Sequence, residues 1–239
     1  MSRLGAALLL LAAGCMDAPD RPATLEADAT RFLALGDSYT IGEGVDEADR
    51  WPNQLVDRLG AEGVRLGSPE IVAVTGWTTD ELAAGIEVAD PKGPFALVTL
   101  LIGVNNQYRG GDLGAYRAEV GALLDRAIAF AGGEAARVVG VSIPDWGVTP
   151  FAEGRDRNEV AAEIDAFNAA FRAEAGARGA HWVDVTPLSR TQGRLVVEDG
   201  LHPDAEAYAA WVGLIEPEAR AALAGSAPEA VDNSDPDSL

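Results

Sequence analysis

Five short apolar runs constrain this chain more than any other feature. They are Phe32–Leu35, Ile71–Thr75, Phe95–Ile102, Arg137–Ile143 and Ala180–Val185, and four of them stop at a glycine or proline. Phe32, Leu33, Ala34 and Leu35 are apolar without alternation, as in a strand covered on both faces. Between the runs lie stretches with helical spacing. Trp51, Leu55, Val56 and Leu59 share one helical face. Thr78 and Glu81 have the spacing of a capping box. Longer helices are expected near 115–131, 158–177 and 204–223. A loop is expected from Thr186 to Pro203.

Strands alternating with helices predict an α/β fold with a parallel sheet. The right-handed crossover rule prunes the topologies. We expect a three-layer α/β/α sandwich with a five-stranded parallel sheet, flavodoxin-like, with Phe95–Ile102 at its centre. The expected organisation is a leader over residues 1–14, an acidic tether over 15–30, one folded domain over 31–224, and a disordered acidic tail over 225–239.

Composition narrows the partners. The formal net charge is -20, and Lys92 is the only lysine among the basic residues. Such a surface repels phosphate, which excludes nucleic acid and docking on anionic lipid through a basic patch. Cys15 is the only cysteine, so no intramolecular disulfide and no cysteine-based metal site is expected.

The N-terminal stretch reads as an address. Arg3 is followed by an apolar run from Leu4 to Ala13, too short to span a bilayer. It ends in Leu11-Ala-Ala-Gly-Cys15, which resembles a bacterial lipobox with Ala12 at the usual Leu position. That resemblance implies lipidation at Cys15 and a chain exported to the cell envelope, with the membrane met only through this anchor. Ordinary secretion is the alternative.

Three polar turns follow predicted strands: Gly36-Asp37-Ser38, Thr75-Gly76-Trp77 and Gly103-Val104-Asn105. In a parallel sheet such turns gather at one edge, where ligand crevices form. A fourth piece, Asp199-Gly200-Leu201-His202-Pro203, precedes the last helix. His181 and His202 are the only histidines, and His181 begins a strand at the opposite edge. Only His202 is therefore placed to approach Ser38. Serine needs a base to become a nucleophile, and imidazole suits that task. Asp199 could accept the second ring N–H. Backbone N–H groups of Ser38 and Gly76, with the Asn105 amide, could stabilise an oxyanion. Each piece alone has a plainer reading: Asp37 and Ser38 as helix caps, Gly76 as a strand stop, Asn105 as a turn former.

Taken together, these blocks resemble the SGNH hydrolases, also called the GDSL esterase/lipase family. Gly36-Asp37-Ser38-Tyr39 resembles its first block, with Tyr39 where Leu is common. Gly76 resembles the glycine of the second block. Gly103-Val104-Asn105-Asn106 resembles the third, with Asn106 where Asp is usual. Asp199 to His202 resembles the last. The stretches around Gly76 and Asn105 are similar to the branch of bacterial thioesterase I, lysophospholipase and arylesterase. The resemblance implies a catalytic set of Ser38, Asp199 and His202, and an oxyanion hole of Ser38, Gly76 and Asn105. It implies hydrolysis of carboxylic esters or thioesters, on a small-molecule, glycan or lipid ester, with no metal or cofactor. Two alternatives are a carbohydrate acetyl esterase using the same residues, and a surface lipoprotein that binds a ligand without turnover. The sequence carries no signal for an oligomeric state. The turn after the first strand lacks both Gly-x-Gly-x-x-Gly and a Walker lysine, which excludes the common nucleotide-binding loops.

Overall fold

A computed structural model describes residues 30–228. The expected leader, the expected lipidation at Cys15 and nearly all of the expected tether lie outside the described residues, as does the chain beyond 228. Within them, the strands are β1 (Phe32–Gly36), β2 (Glu70–Ala73), β3 (Leu97–Leu101), β4 (Val138–Val141) and β5 (His181–Val183). The principal helices are α1 (Ser38–Ile41), α2 (Trp51–Ala61), α3 (Thr79–Ala89), α4 (Val104–Tyr108), α5 (Leu113–Phe130), α6 (Arg157–Arg178), α7 (Thr186–Ser189) and α8 (Ala205–Leu223).

All strand pairs are parallel, in the order β2-β1-β3-β4-β5. This is the flavodoxin-like order expected, with β3 at the centre. The chain moves one way from β1 to β2 and the other way thereafter. Right-handed crossovers then demand that α2 cover one face and α3, α5 and α6 the other. The packing agrees: α2 lies against α8 on one side, and α5 lies against α3 and α6 on the other. Every residue of β1, β3 and β4 is buried, which explains why those runs show no alternation.

The reversal of direction leaves a crevice beyond the carboxyl ends of β1 and β3. Gly36 closes β1 there. It does not hold a left-handed backbone; a Cβ at this position would run into Thr40 Oγ1 and lie 2.5 Å from the Leu101 carbonyl oxygen. The glycine is required by this close approach. Gly103, at the end of β3, needs both freedoms: its φ is +127°, and a Cβ would sit 2.6 Å from Tyr116 Oη.

Three expectations needed adjustment. The second strand ends at Ala73 instead of Thr75, because Val74 at this sheet edge is 47% exposed and leaves the ladder. The segment expected as a loop from Thr186 to Pro203 contains α7, with Pro187 in the first turn, where a missing N–H is harmless. Its second half is a hairpin, with a bridge between Val196 and Pro203. Ser226, assigned to the tail, is tied back to the fold, since its carbonyl oxygen lies 3.1 Å from His181 Nε2.

Candidate active site

Ser38 opens α1 directly after β1, and it is almost fully buried. Asp37 caps this turn by accepting the Tyr39 N–H at 3.0 Å. The Ser38 N–H is then left as a first-turn amide with no intrahelical acceptor. The Asp37 carboxyl is completely buried, and its second oxygen has no partner among the described residues. Burial pushes this carboxyl up to about 7, against the Tyr39 amide and its own backbone amide, which both favour the charged form.

Asp199 and His202 sit on the hairpin before α8. Val197 N–H donates to the His202 carbonyl at 2.9 Å, and Asp204 N–H to the Leu195 carbonyl at 3.0 Å. The tip turns at Asp199-Gly200. Asp199 Oδ1 accepts the N–H groups of Leu201 (2.8 Å) and His202 (3.0 Å), while Oδ2 lies 2.5 Å from His202 Nδ1. Partial burial pushes the Asp199 carboxyl up, but the His202 side chain and the two backbone amides outweigh it and hold it below the usual carboxylate range. An ionised Asp199 places the imidazole proton on Nδ1 and leaves Nε2 with its lone pair.

The two ends of the domain meet at Tyr39. Its ring centroid is 5.6 Å from that of His202 and 6.1 Å from that of Trp211 on α8. Ser38 and His202 are thus brought to the same end of the sheet. No hydrogen bond joins the Ser38 hydroxyl to the ring among the described residues.

Gly76 and Asn105 are also brought together. Asn105 Nδ2 donates to the Trp77 carbonyl at 2.9 Å, which fixes its amide beside the Gly76 turn. Arg109 on the turn after α4 donates to the Gly76 carbonyl at 2.6 Å and pairs with Glu81 at 3.2 Å. Glu81 accepts in turn from the Thr78 N–H at 2.9 Å, as the capping-box spacing predicted. Asn106, where the family usually has Asp, binds Thr79 at two points and anchors the loop. His181 plays no part here. It is fully buried, and its Nδ1 lies 2.6 Å from Glu218.

Sequence reasoning missed a set of polar anchors behind the rim. The Trp146 indole donates to Gln107 Oε1 at 2.8 Å, and Gln107 Nε2 donates to Glu163 at 2.7 Å. Asp145 is held by Arg190 at 2.8 Å. Trp146 in turn supports Tyr108 and Phe151, with centroids 5.3 and 6.0 Å away. Both of those rings remain about half exposed. Phe151 N–H donates to the Gly200 carbonyl at 2.9 Å, so the aromatic rim joins the hairpin that carries Asp199.

This arrangement of elements agrees with what comparison finds. The profile of the GDSL-like Lipase/Acylhydrolase family matches residues 34–210. The chain belongs to this family. As a GDSL hydrolase of the SGNH type it is an esterase. Solved structures share its fold. TesA is 22% identical with a TM-score of 0.64, covering 80% of this chain and 99% of its own. The psychrotrophic esterase EstA from Pseudoalteromonas sp. is 19% identical with a TM-score of 0.59, covering 80% and 97%. A variant of an acetyl xylan esterase from Geobacillus stearothermophilus is 18% identical with a TM-score of 0.60, covering 80% and 94%. No curated protein matches the GDSL hydrolase by sequence.

Proposed function

We propose that this hydrolase cleaves carboxylic esters or thioesters through an acyl-enzyme formed on Ser38. His202 Nε2 takes the hydroxyl proton as Ser38 Oγ attacks the acyl carbon. The resulting oxyanion is met by the N–H groups of Ser38 and Gly76 and by the Asn105 amide. As the tetrahedral intermediate collapses, the bond to the leaving alcohol or thiol breaks, and His202 returns the proton to it. Water, deprotonated by the same ring, then adds to the acyl carbon; the acyl–Oγ bond breaks, the ring returns the proton to Ser38 Oγ, and the acid leaves. Asp199 orients the imidazole and stabilises its charged form. The observation that carries this reading is the 2.5 Å Asp199–His202 contact on a hairpin packed against the residue next to Ser38.

Ser38→Ala tests it on a panel of aryl esters and thioesters. The expected result is a fall on the order of 10^6-fold, to background. Undiminished turnover would remove Ser38 as nucleophile. No turnover by the parent chain on any substrate would favour a ligand-binding lipoprotein instead.

A second reading, a carbohydrate acetyl esterase, is favoured by the exposed rings of Tyr108 and Phe151 beside the hairpin, since sugars stack on such faces. The likeness to an acetyl xylan esterase supports the same reading. Comparison of acetylated xylan with long-chain acyl esters distinguishes them. We also propose export with a lipid anchor at Cys15; incorporation of a clickable fatty acid in the parent and its loss in Cys15→Ala would support this, and equal labelling would refute it.

A further inference from the structure

The groups assigned above to the oxyanion lie on two segments that follow different strands, Gly76 on the turn after β2 and Asn105 in the short helix α4 after β3. A run of hydrogen bonds with a single direction holds these segments together. Thr79 N–H donates to Asn106 Oδ1 at 3.1 Å, and Asn106 Nδ2 donates to Thr79 Oγ1 at 2.7 Å. The Thr79 hydroxyl donates onward to the Glu119 carboxylate on α5. Thr79 is completely buried and is the first residue of α3. Its N–H is therefore one of the amides that the helix itself cannot satisfy.

A hydroxyl has one proton to donate and two lone pairs to accept with. Glu119 takes the proton of Thr79. Whatever stands at 106 must then donate to the hydroxyl and accept from the Thr79 N–H at the same time. An amide does both. A carboxylate does not, and it would set two acceptors on either side of one hydroxyl, one of them without a proton. Leaving such a buried contact unsatisfied costs about 1–3 kcal/mol. The residue at 106 is thereby matched to a residue on another helix.

We propose that Asn106, Thr79 and Glu119 form a polarised relay that positions Asn105 against the Gly76 turn, with Asn106 and Glu119 matched as donor and acceptor. This rests on the reading of Asn105 and Gly76 as oxyanion donors. Asn106 is a positioning residue, because it acts through its neighbour. The relay works beside the Asn105–Trp77 and Arg109–Gly76 bonds, which join the same two segments.

The test is a cycle of Asn106→Asp, Glu119→Gln and the double variant, with kcat, KM and Tm measured for each. Asn106→Asp lowers kcat by about tenfold or more with KM nearly unchanged, the pattern of an interaction made only in the transition state. Glu119→Gln alone changes kcat by less than about threefold, because an amide oxygen still accepts from Thr79. In the double variant the new amide at 119 donates to the hydroxyl, which passes its proton to the carboxylate at 106. The direction is reversed but every group is satisfied, so kcat returns to within about threefold of the parent. An Asn106→Asp variant as active as the parent would overturn the relay. So would a double variant no better than Asn106→Asp, and rescue in Tm without rescue in kcat would overturn the positioning role. Failure of the esterase reading gives a different result: the parent itself would turn over no ester, while rescue in Tm would still report the matched pair.

Discussion

The ring of Tyr39 packs against the imidazole of His202 with centroids 5.6 Å apart and planes tilted by 59°. It links the exit of the first strand to a hairpin near the end of the domain. Tyr39 is itself buried, with Trp211 on its other side. Tyr39→Phe keeps the ring and is expected to change kcat by less than about threefold. Tyr39→Ala removes the support of His202 and opens a cavity, with a loss of about 3–5 kcal/mol in stability. Chemical denaturation with kcat on the same samples checks both.

Asp37 makes stability depend on pH in an unusual direction for an aspartate. Burial raises its folded pKa from 3.8 to about 7. Below pH about 4 the carboxyl is neutral in both the folded and unfolded chain, and burial carries no charge penalty. Between about 4 and 7 the unfolded chain ionises while the folded chain resists, so this group lowers stability as pH rises. The full span corresponds to roughly 4 kcal/mol. Asp37→Asn keeps an oxygen to accept the Tyr39 N–H and removes the titration. The Tm of Asp37→Asn minus that of the parent should therefore increase from pH 4 to pH 8. A difference that does not vary with pH would contradict this.

The two histidines should behave oppositely. His181 is buried between Glu218 and the Ser226 carbonyl, at the amino end of β5. His181→Ala is expected to lower stability by about 2–4 kcal/mol and to leave kcat of the remaining folded protein within about threefold. His202→Ala is expected to abolish hydrolysis with a smaller change in stability. Tm and kcat measured on the two variants check the crossed pattern.

The aromatic rim should set substrate preference more than rate. Tyr108 and Phe151 are exposed at 44% and 45% and rest on Trp146. Tyr108→Ala and Phe151→Ala are expected to raise KM by about tenfold for substrates with a bulky ring or glycan. For acetyl esters of small alcohols, KM should stay within about twofold. Equal effects on both substrate classes would place the rings outside the binding site.

Much of the fold was legible because it depends on local pattern. Unbroken apolar runs marked the buried strands, and spacing of Thr78 and Glu81 marked the start of α3. The candidate site was legible as short blocks, because each block lies on one turn and the parallel sheet gathers those turns at one edge. What stayed hidden depends on contacts between distant segments. Nothing in the neighbourhood of Gly36 reveals that Leu101 and Thr40 crowd its Cβ position. Val74 continues an apolar pattern, yet it lies at a sheet edge where no ladder extends to it. Glu119 reads as an ordinary surface carboxylate on α5, and only the approach of Thr79 makes it an acceptor behind the site.

The account rests on Ser38 being made nucleophilic by His202. A fluorophosphonate probe on the folded parent and on His202→Ala, followed by mapping of the modified peptide, tests this most directly. The expected result is a single adduct on Ser38 in the parent, and labelling slowed by about a thousandfold or more in a folded His202→Ala variant. An adduct on another residue, or labelling of Ser38 at the same rate in both proteins, would contradict it.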